Sequence, residues 1–137
     1  MAYSNFYDHF YVIRKKVAVA LAAVWHLPAN RLYFLAAGLA HLAAWLEAIF
    51  IYRQLAGDLL VLHYNVDFGI DLVGAGAAIF IYPLFGLGIF ILNLALAAVW
   101  HAHKDFRTFA HLLLGAAVIF GLFLNLVLLF IYLINFR

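Results

Sequence analysis

Three apolar stretches decide what this chain can become. Ala75–Trp100 and Phe109–Asn135 contain no Asp, Glu, Lys or Arg, and Tyr33–Arg53 holds Glu47 alone before its closing arginine. At 1.5 Å per residue each is long enough, as a helix, to cross a hydrocarbon core roughly 30 Å thick. A segment in lipid has no water to satisfy its peptide groups, so it must close its own hydrogen bonds. The expected fold is therefore an all-α membrane protein with three transmembrane helices (33–53, 75–100 and 109–135). Composition agrees: 70% of residues are hydrophobic and 10% charged, where soluble domains carry about a quarter. The 137 residues make a single membrane domain. The absence of cysteine removes disulfides and thiolate chemistry. A net charge of +2, with no basic stripe beyond Arg14-Lys15-Lys16, argues against nucleic acid as a partner.

The N-terminal segment, 6–27, differs from the spans. Phe6, Phe10, Ile13, Val17, Leu21 and Val24 recur at helical spacing, with Asp8, Arg14, Lys15 and Lys16 free to face the other way. Its wholly apolar half, Val17–Leu27, is too short to span. The expectation is an N-terminal interfacial amphipathic helix, with a signal peptide or a contribution to a fourth span as the rivals. Leu27-Pro28-Ala29-Asn30-Arg31 breaks this helix and turns the chain.

Basic residues set the orientation. Arg14, Lys15, Lys16 and Arg31 precede the first span, and Lys104 and Arg107 lie between the second and third. The positive-inside rule places these on the cytoplasmic side of a bacterial membrane, with the N-terminus inside and the C-terminus and the 54–74 loop outside. Tyr33, Tyr52, Trp100 and Tyr132 fall near span ends, as interfacial anchors do. The run Ala20-Leu-Ala-Ala-Val-Trp-His26 recurs as Ala95–His101, either a duplicated unit or coincidence in an Ala/Leu-rich chain.

The outward loop concentrates the polar residues: His63, Asn65, Asp67, Gly69, Asp71 and Gly74. Asn and Asp here bond backbone groups and cap the next helix, while Gly69 and Gly74 supply positive φ or close approach. A metal site from His63, Asp67 and Asp71 at intervals of four would need a regular helix, which Asn65 and Gly69 oppose. With Leu59–Leu62, Phe68, Ile70, Leu72 and Val73 the loop is too apolar for a free coil, and is expected to lie ordered on the bundle end.

His63-x-Asn65, Gly69-x-Asp71, Gly74, Pro83, Gly86 and Asn93 resemble a pattern in small multi-span membrane proteins of Patescibacteria, and more distantly the N-terminal domain of sporulation-delaying-toxin immunity proteins. The likeness covers about Leu60 to Asn93. It implies a membrane domain and brings no established catalytic residues.

Inside the spans the polar residues are His41, Glu47, Asn93 and Asn125. Intramembrane polar groups are costly unless paired, which makes each a functional candidate. Depth counting pairs Glu47 with Asn125 and His41 with Asn93, each contact worth about 0.6–2 kcal/mol as packing glue. His41 also sits in Ala37-x-x-x-His41-x-x-x-Trp45, similar to the bacteriochlorophyll site of light-harvesting polypeptides, and an intramembrane His can ligate haem. His101, His103 and His111 crowd the short turn, as interface residues or as a three-His metal set. No nucleophile–base pair or phosphate loop is present, so the expected function is non-enzymatic. The leading expectation is a structural or interaction protein that docks on other membrane subunits or on itself through its Ala/Gly faces. The alternatives are a cofactor-binding protein using His41, and proton or ion transport by a homo-oligomer around Glu47.

Overall fold

The computed structural model describes residues 2–55, 59–67 and 69–136, with the side chains of 2–6, 65 and 71 outside that description. Phe68, in the expected loop, therefore lies outside the described residues. The elements in order are α1 (Ala2–His26), α2 (Pro28–Gln54), β1 (Leu59–Asn65), β2 (Gly69–Ala75), a 3₁₀ turn (Gly76–Phe80) running into α3 (Ile81–Val99), and α4 (Phe106–Phe136). Three segments are long and apolar enough to cross a membrane: Pro28–Gln54, Gly76–Val99 and Phe106–Phe136. Two ends follow from the connections: a hairpin end carrying β1 and β2, and a turn end where α1 meets α2 and α3 meets α4.

The first span starts five residues before the expected Tyr33, and the cause is Pro28. Its ring fixes φ near the helical value and its missing N–H is one that a helix start leaves unbonded anyway, so it begins α2 at N1 where a break was expected. Leu27 before it is extended (φ −77°, ψ 117°), as the residue preceding proline prefers. Asn30, wholly buried, then donates from Nδ2 to Val24 O at 2.8 Å, satisfying a carbonyl that the end of α1 leaves open. Arg31 Nε donates to Trp25 O at 3.1 Å and its guanidinium stands 5.7 Å over the Trp25 ring.

The alanines of α2 serve the chain's own packing. Ala37, Ala40, Ala44 and Ala48, followed by Ile51, are buried at helical spacing, and α4 is the helix that α2 packs on most extensively. Small residues let the two backbones approach closely: an added Cβ at Gly121 would lie 3.3 Å from that of Ala40. At Gly86 a Cβ would come within 2.5 Å of Leu124 Cδ1, so a larger residue there would make the Leu124 side chain move. Pro83 falls just after the 3₁₀ turn gives way to α-helix, where the change of helix type accommodates it.

Two apolar cores result. One, at the hairpin end, joins Ala44, Ala48, Ile51, Leu60, Ile79, Leu128 and Ile131; the other, at the turn end, joins Val24, Ala97, Ala110 and Leu114. The repeated seven-residue run closes a helix both times, at His26 and Val99–His101. Its copies pack differently: Val24 is fully buried, whereas the matching Val99 is 78% exposed.

Candidate functional site: the hairpin end and the intramembrane polar residues

Leu59–Asn65 and Gly69–Ala75 are ordered, as expected, but as two antiparallel strands in place of the anticipated loop. Alternation explains how the hairpin sits. Leu60 is fully buried and Leu62 packs on the same core, while Leu59 and His63, which flank them, are exposed. The register slips between Val61 and His63, a bulge that leaves Leu62 opposite no partner. Gly69 has φ +77°, the left-handed conformation that opens β2 after the turn. Gly74 lies beneath Leu62, whose Cδ1 would be 2.8 Å from an added Cβ.

A strand edge in an apolar setting needs partners, and the helices supply them to β1. The Asn135 side chain accepts from Val61 N at 2.9 Å and donates to Val61 O at 2.9 Å, so one amide stands in for a neighbouring strand. A further bond to Ile131 O, 2.8 Å, fixes that amide on α4. Tyr82 Oη donates to Leu62 O at 3.2 Å, at the bulge. β2 has no strand on its far side among the described residues, and Ile70, Leu72 and Val73 are exposed there.

The strands also relocate the loop's polar residues. His63 lies in β1, Asp67 in the turn and Asp71 in β2, so their spacing of four does not gather them on a helical face. The capping role expected of Asp71 falls to no side chain: the residue at the start of the 3₁₀ turn is Ala75, without a side-chain cap bond. What the side chains of Asn65 and Asp71 bond lies outside the described residues.

Neither expected intramembrane pair forms. Asn125 Nδ2 donates to Ala40 O at 3.0 Å and to Gly121 O at 2.7 Å, two turns from Glu47. Glu47 is level with Leu128 and Leu129, about one turn nearer the hairpin end than Asn125. Glu47 instead borders a cavity of about 180 Å³ with Phe50, Leu128, Leu129 and Tyr132, and its buried Oε2 has no hydrogen-bond partner. His41 meets Gly86, not Asn93: an added Gly86 Cβ would be 3.5 Å from its ring. Starting α2 at Pro28 places His41 deeper, level with Gly86. Asn93 bonds its own helix through Ile89 O at 2.8 Å.

His41 Nε2 accepts from Trp45 Nε1 at 3.1 Å, with the rings edge to face at 6.4 Å. A pigment or haem would have to displace that indole to reach Nε2. At the turn, His101 Nδ1 bonds Ala98 O at 2.8 Å, His103 Nδ1 lies 3.6 Å from Asp105, and the His111 ring packs on Tyr33 at 5.7 Å. Each of the three thus has a different neighbour, and among the described residues no group of three His, Asp or Glu is arranged to hold a metal.

Asn30, Tyr82 and Asn135 are the polar residues whose importance sequence reasoning missed. Asn135 could have been suspected as an amide in the last turn of a largely apolar helix. No family model, curated protein or solved structure matches the chain.

Proposed function

We propose that this is a small structural or interaction protein of a bacterial cytoplasmic membrane, which docks on a larger membrane assembly, or on a second copy, through its hairpin end. One observation carries the reading: β1 is sealed by Asn135 and Tyr82, whereas β2 leaves its far edge open beside exposed Ile70, Leu72 and Val73. Strand edges of this kind recruit partners by main-chain pairing. Self-association through the α2 alanines is poorly supported, since α4 covers them. In this reading the turn end is cytoplasmic, α1 lies in the interface, and the hairpin and C-terminus face outward. The residues that resemble the Patescibacteria-type pattern then act as folding devices of the recognition hairpin, Gly69 at its turn and Gly74 under Leu62.

Photo-crosslinking tests it. A benzophenone amino acid at Leu72 is expected to yield a discrete protein adduct in native membranes, whereas one at Leu39, exposed on α2, should meet lipid alone. Equal adducts from both sites, or none from Leu72, overturn the reading. Reporters fused after Arg137 and at Lys104 test the orientation, which fails if both report the same side.

A bacteriochlorophyll or haem on His41 is less well supported, because Trp45 already occupies Nε2; a visible absorption band in the purified protein that His41→Ala abolishes would reverse that ranking.

A further inference from the structure

The turn end has an opening that the packing does not close. In α1 every described side chain from Tyr7 to Val19 is exposed, and burial begins only at Ala20 and Val24. The helix thus leaves the bundle at Ala20, and a wedge of about 430 Å³ remains between it and α3. Val17 and Leu21 form one wall; Ile91, Leu94 and Ala95 form the other. Lys16 and His101 sit at its margin, and a contiguous hollow adds Lys15 beside the same two residues. No acidic side chain lines either hollow, and among the described residues neither lysine is in an ion pair.

We infer that this wedge is a binding site for one anionic phospholipid, with an acyl chain between α1 and α3 and the headgroup phosphate against Lys15, Lys16 and His101. Charge complementarity selects the occupant. An apolar slot alone accepts any acyl chain, but two unpaired ammonium groups and an imidazole at the mouth of an apolar slot match a ligand with an anionic head and a greasy tail. A zwitterionic lipid brings its own cation to that mouth and gains little. The lipid also accounts for α1, which carries Val17 and Leu21 on a face that the protein itself leaves unfilled.

The test is native mass spectrometry of the delipidated protein with added phosphatidylglycerol or phosphatidylcholine of the same chains. The wild type is expected to retain one phosphatidylglycerol at least ten-fold better than phosphatidylcholine. Lys15→Gln/Lys16→Gln should bring the two lipids level; both lysines are exposed, so unchanged helicity by circular dichroism shows that the fold is kept. Ala95→Trp, which fills the slot while leaving the charges, should lower retention of both lipids. Equal retention by the wild type overturns the inference, as does a preference that survives the double variant. Phosphatidylglycerol retention that Ala95→Trp leaves undiminished shows a headgroup held on the surface with no chain in the wedge, and overturns it too.

Discussion

The two ends of this bundle face the same difficulty and resolve it differently. At the hairpin end the chain leaves helical structure within reach of the apolar core, and the exposed peptide groups of β1 are met by side chains sent from distant helices: Asn135 on α4 and Tyr82 on α3. At the turn end the chain reverses with the N-cap residue Leu27 between two helices, and the repair is local, with Asn30 reaching back six residues to Val24. Long-range bonds tie the hairpin to the whole bundle, whereas local bonds tie α1 to α2 and leave the rest of α1 free to stand away. Damage to the first kind should be global and damage to the second confined.

The strongest expected effect is that of Asn135→Leu. It orphans the N–H and the C=O of Val61, at about 1–3 kcal/mol for each group left unpaired in apolar surroundings. A thermal melt in detergent should shift for the bundle as a whole; a change limited to the hairpin would break the comparison. Next is Gly69→Val, which forces a β-branched residue to φ +77° at roughly 1–3 kcal/mol. Gly69→Asn, tolerated in that region, should recover most of the loss, and equal melting of the two variants would show that backbone strain is not the cause.

At the other end Asn30→Ala should cost about 1 kcal/mol and spend it locally. The readout is trypsin cleavage at Arg14, Lys15 and Lys16, accelerated while α2–α4 keep their melting temperature; a lowered global melt would show that the turn end is as integrated as the hairpin. The smallest effect on stability is expected of Ile70→Lys/Val73→Lys. Both side chains are exposed, so the melt should move by about 0.5 kcal/mol or less while the Leu72 crosslink described above is lost. A large destabilisation would make the outer face of β2 part of the fold.

Sequence reading reached the three apolar helices because each is a long unbroken stretch whose length alone selects a helix in lipid. It also anticipated an ordered apolar loop and a special backbone at Gly69. It did not reach the strands. Leu60 and Leu62 alternate with Leu59, Val61 and His63, but three of those five are leucine, which reads as readily as helix, and the turn lacks an Asn-Gly or Asp-Gly pair to announce a hairpin. The intramembrane pairs failed for a different reason. Depth follows from span edges drawn by hydropathy, and an error of five residues at Pro28 shifts the counted depth of His41 by about 7.5 Å. Nothing in a single chain states how far one helix is displaced along another.

The sealed and open edges of the hairpin also bear on what kind of assembly the chain can enter. A two-stranded sheet with both edges open could add strands on either side and grow without limit, the hazard that edge strands carry. Here Asn135 ends the sheet on the β1 side, so addition is possible beside β2 alone. If two copies join there, each edge consumes the other and no edge remains: the pair is closed by a two-fold axis and a third copy finds nothing to pair with. One amide at the end of α4 thereby sets an upper limit on stoichiometry, and its loss would be expected to turn a closed pair into an open series.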